Sequence, residues 1–287
     1  MVQLIDSDIR TREVLDWQGL HLFHGRMSSC SQKLRIFLNL KGIDWQGHEM
    51  NLAESETYSD RFLGINPRGL VPVLVWDGAV HIESNDILAL LDRAFPEPRL
   101  IPPDRADEVA ALLQHEDDLH LDLRTLSFRF VLGRTKSNKT PEQLERYSAY
   151  PATVGGEPDR DKRQKERVFY DRLAAEGLSD AAVCAAAAKF RTAFDDLEHR
   201  LSDAPYYLGD ALSVMDIAWY VYAARLHLGG YPFAKLHPRV DRWRDAFDTD
   251  ERFAREVAPP PPLADSITRN QSDWKRAGTM MADVVGF

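Results

Sequence analysis

Residues 71–84 decide the fold of the first part of this chain: Val71-Pro72-Val73-Leu74-Val75-Trp76-Asp77-Gly78-Ala79-Val80-His81-Ile82-Glu83-Ser84. Two short apolar runs flank Asp77-Gly78, a dipeptide typical of two-residue hairpin turns. Glu83-Ser84 then opens residues 87–95, in which apolar residues recur at helical spacing. This stretch therefore predicts two antiparallel strands followed by a helix.

The residues before the hairpin carry further strand and helix patterns. Four such segments are residues 20–23 (strand), 31–40 (helix), 48–52 (strand) and 58–63 (short helix). The first helix stops at Gly42, because glycine readily takes the conformation that ends a helix. The order βαβ, short helix, ββα predicts an α+β domain over residues 19–95. Residues 1–18 precede this domain as an acidic N-terminal extension.

The rest of the chain has a different character. Prolines are frequent in residues 96–104, which marks a linker because proline does not continue a helix. Residues 105–258 show helical periods without strand alternation and predict an all-α domain. Within that domain, the polar residues 135–165 are expected to be an insertion with one short helix over residues 141–147. Residues 259–287 form a C-terminal tail.

Composition and charge exclude some classes of protein. Hydrophobic residues make up 44% of the 287 residues, and no apolar run approaches the roughly 18 residues that a membrane helix needs. A transmembrane protein is thus not expected. The formal net charge of −9 argues against nucleic acid as a partner. The acidic N-terminus lacks the apolar stretch of a signal peptide, which favours a cytoplasmic protein.

Motif searches argue against a metal and a nucleotide cofactor. The chain contains two cysteines, too few for a disulfide scaffold or a four-cysteine zinc site. The histidines and carboxylates of residues 115–122 lack a metal-ligand spacing and are typical of a solvated or dimer-facing helix surface. No glycine-rich phosphate-binding motif occurs in the sequence. We therefore predict neither a metal nor a nucleotide.

Ser28-Ser29-Cys30 lies where thiol chemistry can occur, at the start of a helix that follows a strand. Unpaired amides and the helix dipole stabilise a thiolate at such a position. Ser28 or Ser29 can donate a hydrogen bond to a bound thiolate, or Cys30 can itself attack. The alternative is helix capping by serine beside a small buried cysteine. These residues alone favour neither interpretation.

Two later motifs have the same double interpretation. A cis peptide bond before Pro72 would turn the backbone amide and carbonyl of Val71 toward a short peptide ligand, although a trans proline at a strand start is more common. Glu83 can bind an ammonium group, while Ser84 and the amides of the helix N-terminus can bind a carboxylate. An ordinary helix cap at Ser84 is the simpler alternative.

In this order and spacing, the motifs resemble the cytosolic glutathione transferase family. The segments that carry the resemblance are Ser28-Ser29-Cys30-Ser31, residues 66–74, Asp77-Gly78, Glu83-Ser84 and the helix-capping sequence Ser213-Val214-Met215-Asp216. The resemblance covers roughly residues 19–257. It implies a thioredoxin-like, glutathione-binding domain followed by an all-α domain, and a homodimer that acts on a small hydrophobic substrate.

The resemblance also implies roles for individual residues. The backbone of Val71 binds the cysteinyl part of glutathione, Pro72 is cis, Glu83 and Ser84 hold the γ-glutamyl group, and Arg68 lies near the glycyl end. Ser28, Ser29 and Cys30 are the catalytic candidates. The helices of the second domain supply an apolar wall for the second substrate. The candidate lining residues are His120, Arg124, Phe128, Trp219 and Tyr222.

The class within the family stays open at this point. Residues 28–31 are similar to zeta-class isomerases and to bacterial reductive dehalogenases, in which a cysteine matching Cys30 takes the glutathionyl group. Residues 66–69, residues 95–97 and the insertion resemble bacterial β-aryl etherases. We favour attack of the glutathione thiolate on a hydrophobic, in particular aromatic, electrophile, which includes cleavage of β-aryl ethers. Isomerisation, reductive thiol exchange through Cys30 and a non-catalytic binding protein of the same fold are the alternatives.

Overall fold

A computed structural model describes residues 2–287. The chain divides into two compact units. The first unit extends to Glu97 and includes Lys136–Gly177, and the second comprises Pro98–Thr135 and Leu178–Phe287. The strands are β1 Val2–Gln3, β2 Leu20–His24, β3 Gln46–Glu49, β4 Val73–Trp76, β5 Ala79–Ile82, β6 Thr153–Val154 and β7 Glu157–Pro158. The helices are α1 Ser29–Lys41, α2 Asp60–Leu63, α3 Ser84–Ala94, α4 Ala106–Asp118, α5 His120–Phe130, α6 Pro141–Ala149, α7 Asp161–Glu176, α8 Asp180–Arg200, α9 Val214–Leu228, α10 Phe233–Leu236, α11 Pro238–Asp248, α12 Glu251–Val257, α13 Pro261–Ala277 and α14 Met281–Val285.

The first unit is built on one mixed sheet with the strand order β1-β5-β4-β2-β3. Strands β2 and β3 are parallel and are joined through α1, whereas β2 with β4 and β4 with β5 are antiparallel. Asp77 and Gly78 both have positive φ, as a tight hairpin turn requires. A side chain at Gly78 would meet the carbonyl oxygen of Leu15 at 2.2 Å. The predicted βαβ, short helix, ββα order is confirmed.

The N-terminal residues belong to this unit and contribute to its core, which differs from the expected separate extension over residues 1–18. Strand β1 pairs antiparallel with β5 and places Val2 opposite Ile82. Leu4, Ile9 and Val14 are buried in the hydrophobic cluster of the sheet. The acidic residues between them conceal this short apolar pattern in the sequence.

The segment 135–165, expected within the all-α domain, groups from Lys136 onward with the first unit instead. The predicted short helix is present as α6, with Thr140 as its N-cap. The hydroxyl of Tyr147 on α6 donates to the carbonyl of Arg68 at 2.9 Å, and its ring stacks on Tyr58. Arg163 on α7 donates to the carbonyl oxygen of Pro67. These contacts join the segment to the loop that precedes β4.

Asp8 joins the N-terminal residues to the same segment. Its carboxylate accepts hydrogen bonds from the Thr153 hydroxyl at 2.6 Å and from the amides of Gly155 and Gly156 at 2.8 and 3.1 Å. It also accepts from the amide of Ile5 at 3.1 Å. Although burial alone raises the pKa of Asp8, these hydrogen bonds outweigh burial and hold that pKa below its ordinary value.

The second unit is helical, as predicted. Helix α9 is buried on nearly every side, and Asp216 in its first turn accepts from the amides of Ser213 and Tyr207. Helices α4 and α5 follow each other directly and meet at Leu119. Most of the C-terminal tail is also helical, as α13 and α14, and Met281 is buried. No helix among residues 2–287 combines the length and the apolar character that a bilayer span requires.

We predict that Asp8→Ala lowers the free energy of unfolding by about 1 to 3 kcal/mol, because several partly buried donors lose a charged acceptor. Chemical denaturation measures this difference. Asp6→Ala is the matched control, since the ion pair of Asp6 with Arg12 is exposed and contributes little. Equal stability of the two variants would contradict the role assigned to Asp8.

Candidate functional site

The first group of candidate residues surrounds the N-terminus of α1. Ser28 is the N-cap, and its hydroxyl oxygen accepts from the amide of Ser31 at 3.3 Å. The hydroxyl oxygen of Ser31 in turn accepts from the amide of Gly25 at 3.2 Å. Arg35 donates to the carbonyl oxygens of Gly25 and Arg26. The turn between β2 and α1 is therefore fixed by α1 itself.

Exposure separates the three catalytic candidates. Ser28 and Cys30 are partly exposed, whereas Ser29 is buried. A serine hydroxyl has one O–H donor beside its acceptor sites. Because Ser28 accepts from Ser31, its own O–H can still donate to a sulfur atom. Cys30 lies in the first turn of α1, where amides and the helix dipole favour a thiolate.

The Val71–Pro72 peptide bond is cis, which confirms the expected geometry. The loop before it is braced by Asn66, whose amide group donates to the carbonyl of Leu70 at 2.7 Å. Asn66 also accepts from the amide of Arg68 at 3.0 Å. Pro72 is buried and Val71 is partly exposed, directly before β4. The sequence in this loop thus fixes the position of the Val71 backbone.

Glu83 joins β5 to α3 in a strained conformation. Its φ of 69° is unusual for a residue with a side chain, and such strain is concentrated at functional sites. Ser84, which was the alternative helix cap, is the first residue of α3, and Glu83 occupies the N-cap position. The carboxylate of Glu83 makes no capping bond to the helix. It is directed instead to two cations.

Those cations belong to a row of four charged side chains. Arg68 donates to one oxygen of Glu83 through Nη1, and Lys162 donates to the other. Arg68 also donates to Asp159 through Nε at 2.7 Å and Nη2 at 3.0 Å. Arg68 is therefore beside Glu83, whereas the family resemblance assigned these two residues to opposite ends of glutathione. The role of Arg68 in binding stays a prediction.

The row also determines the ionisation of Glu83. Burial by itself raises the pKa of this carboxyl group. The charges of Lys162 and Arg68 oppose that effect and hold the pKa below its ordinary value. Sequence reasoning missed Asp159 and Lys162, because they pair across 91 and 79 positions of the chain and no local pattern marks them.

The candidate lining residues all lie in the second unit but have different surroundings. His120, Arg124 and Phe128 follow one another at four-residue spacing on α5 and are partly exposed. Trp219 and Tyr222 are buried within an aromatic cluster of that unit. The first three can therefore contact a ligand directly, and the last two pack in the core. Residues 2–287 hold no group of three or more His, Cys, Asp or Glu side chains suited to a metal ion.

Sequence comparisons identify two domains in the chain. Residues 27–94 match the model described as "Glutathione S-transferase, N-terminal domain", and residues 144–246 match "Glutathione S-transferase, C-terminal domain". A zeta-class glutathione S-transferase of Euphorbia esula is 42% identical over 85 residues, which are 30% of this chain and 38% of the relative. The matched region spans about 40% of the length of such curated relatives.

Two relatives cover more of the chain at lower identity. Tetrachloro-p-hydroquinone reductive dehalogenase of Sphingobium chlorophenolicum is 25% identical over 218 residues, which are 72% of this chain and 82% of the relative. The crystal structure of the β-etherase LigF of a Sphingobium strain has a TM-score of 0.68 at 23% identity. The structural match covers 83% of this chain and 98% of the etherase chain. At that identity, the structural likeness supports the shared fold.

We predict that Glu83→Gln destabilises the protein at neutral pH more than at acidic pH. A carboxyl group with a lowered folded-state pKa stabilises the fold above its unfolded pKa, and that contribution is lost as the pH falls through the folded value. Denaturation from about pH 7 to about pH 3 should show the two proteins beginning to converge once the pH falls below the ordinary glutamate pKa of about 4.3. Glu157→Gln, at an exposed position of the same unit, is the control. A difference that does not change with pH would contradict the assignment.

Proposed function

We propose that this chain, which belongs to the glutathione S-transferase family, binds glutathione in its first unit and directs the thiolate at a hydrophobic electrophile. The observation that carries the proposal is the partly exposed Ser28 at the N-terminus of α1, in the same unit as Glu83. Pro72 and Ser84 are further components of the proposed tripeptide site. The thiol is the nucleophile, and the protein increases the fraction of it that is ionised.

Ser28 is the preferred activating residue. Its O–H donates to the glutathione sulfur while its oxygen keeps the bond to the amide of Ser31. The dipole of α1 adds to this stabilisation. A free thiol has a pKa of about 8.5, so a decrease of one unit raises the thiolate fraction near neutrality several-fold. Ser29 is less suited to this contact because it is buried.

For the substrate, we propose an aromatic electrophile such as a β-aryl ether. In that reaction the carbon–sulfur bond forms as the carbon–oxygen bond breaks, and the released aryloxide takes up a proton. His120, Arg124 and Phe128 are the proposed contacts for such a substrate.

A homodimer in the cytoplasm is part of the same proposal, and light scattering should give about twice the mass of one chain. A particle of single-chain mass at micromolar concentration would overturn the dimer.

Reductive thiol exchange through Cys30 is the second candidate. Cys30 is partly exposed in the first turn of α1, and the dehalogenase relative matches over 72% of this chain. In this reaction, the Cys30 thiolate attacks the sulfur of a glutathione–substrate thioether, the carbon–sulfur bond breaks, and its electron pair goes to the substrate carbon, which takes up a proton. The resulting mixed disulfide between Cys30 and glutathione is resolved by a second glutathione thiolate, which releases oxidised glutathione. Serine at this position would not support that chemistry, because a hydroxyl is a far weaker nucleophile at neutral pH.

We predict that Ser28→Ala slows turnover about 10- to 100-fold, the factor expected from losing one hydrogen bond to a charged sulfur. Turnover is measured with an activated aryl chloride and with a β-aryl ether. The ultraviolet absorbance of the thiolate should give a higher pKa for bound glutathione in this variant. Ser28→Thr keeps both the hydroxyl and the helix cap, so it should retain most of the activity.

Cys30→Ser distinguishes the two reactions. If Ser28 activates glutathione, turnover of Cys30→Ser stays near that of the unmodified protein. If Cys30 is the nucleophile, the variant is inactive, and mass spectrometry of the unmodified protein detects glutathione on Cys30 during turnover. An obligatory glutathionyl-Cys30 intermediate together with a silent Ser28→Ala would overturn the serine mechanism.

A further inference from the structure

The row Asp159, Arg68, Glu83 and Lys162 alternates negative and positive charge. Exposure increases toward its Lys162 end. The side chains of Arg68 and Asp159 are each 11% exposed, that of Glu83 is 24% exposed and that of Lys162 is 40% exposed. The end of the row that solvent and ligands reach is therefore a carboxylate beside an ammonium group.

A carboxylate beside an ammonium group is complementary to the head of an α-amino acid, which carries the same two charges. An ammonium group of a ligand can bind to Glu83 while its carboxylate binds to Lys162. In the structure, Glu83 and Lys162 are partners of each other. A zwitterion that enters between them exchanges one ion pair for two, so no charge is left without an opposite partner.

Arg68 is less suited to bind the ligand carboxylate. Its Nε, Nη1 and Nη2 already donate to Asp159 and Glu83, and burial keeps it in this geometry. Arg68 acts as a positioning residue for Glu83. Lys162 has an ammonium group with three N–H donors on a flexible stem, and one of them serves Glu83.

The surrounding contacts hold Lys162 near Glu83. Its neighbour Arg163 is buried and donates to the carbonyl oxygens of Pro67 and Tyr147. The Arg163 guanidinium also lies over the Tyr147 ring, 4.1 Å from the ring centroid. The start of α7 is thus attached to the loop that precedes β4, and the Lys162 side chain next to it contacts Glu83 and is partly exposed.

We propose that Lys162 binds the α-carboxylate of the γ-glutamyl residue of glutathione, while Glu83 binds its α-ammonium group. This inference rests on the proposed function, because it assigns a further residue to the same tripeptide site. Ser84 and the first amides of α3 are additional donors for that carboxylate. Lys162 supplies the full positive charge that these neutral groups lack.

The test uses glutathione and two analogues with calorimetry. γ-Aminobutyryl-cysteinyl-glycine lacks the α-carboxylate, and glutaryl-cysteinyl-glycine lacks the α-ammonium group. Lys162→Met should weaken glutathione binding about 5- to 50-fold, a range between that of exposed and of buried charge pairs. Binding of the analogue without the carboxylate should be unchanged by this substitution. Of the three ligands, glutaryl-cysteinyl-glycine should be the one whose binding Glu83→Gln changes least, because it lacks the ammonium group that binds Glu83.

Two control variants accompany Lys162→Met. Lys165→Met removes an exposed ammonium group from the same helix and should bind all three ligands as the unmodified protein does. Lys162→Arg keeps the charge and should restore most of the affinity for glutathione. Thermal unfolding of each variant shows whether the fold is retained. The three ligands are also compared on the unmodified protein, so that this comparison does not depend on the folding of a variant.

The possible results distinguish the inference from the proposed function. Tighter binding of glutathione by Lys162→Met would mean that Lys162 competes with the ligand for Glu83, and would overturn the inference. Equal weakening for glutathione and for the analogue without the carboxylate would mean a structural role, and would also overturn it. Glutathione binding that does not change leaves the proposed function intact and removes Lys162 from the site. No glutathione binding by the unmodified protein would overturn the proposed function itself.

Discussion

The arrangement of the first unit around Glu83 depends on the hydrogen bonds and ion pairs that the Arg68 guanidinium makes. It donates to Asp159 on one side and to Glu83 on the other, so one side chain links the inserted segment to the start of α3. The carbonyl of the same residue accepts from the hydroxyl of Tyr147. A buried guanidinium needs carboxylate partners, and buried carboxylates need a cation in return. Loss of Arg68 would remove the ion pair of Asp159 and would leave Glu83 with Lys162 as its cation.

The same electrostatic constraint explains why Glu83 can keep an unfavourable backbone conformation. A positive φ in a residue with a side chain costs of the order of 1 to 3 kcal/mol and persists when the surroundings over-determine it. Here both carboxylate oxygens are bound to cations, and the residue lies between the paired strand β5 and helix α3. Because the backbone turns at Glu83, its side chain is not used to cap α3. The carboxylate therefore faces Arg68 and Lys162 instead of the helix amides.

Local signals in the sequence were enough to predict the central elements of both units. Helix α1 and the hairpin of β4 and β5 have apolar runs with clear ends, such as Gly42 and the Asp77-Gly78 turn, and helix α9 follows the capping sequence at Ser213. Strand β1 was missed because two residues carry no period, and its pairing with β5 depends on distant residues. Lys162 and Asp159 were missed for the same reason. Their partners are defined by how the segment folds back on Arg68, and polar residues between prolines and glycines give no indication of that pairing.

Under the proposed function, sulfur activation and recognition of the tripeptide head rest on different parts of the first unit. The geometry at Ser28 and Cys30 depends on α1, since Ser31 and Arg35 hold the preceding turn. The charges at Glu83 depend on Asp159 and Lys162 of the inserted segment. Changes in that segment should therefore alter the affinity for the tripeptide without changing which atom reacts. Under the proposed function, the class of reaction depends on the start of α1, where the partly exposed Ser28 and Cys30 lie within the same turn.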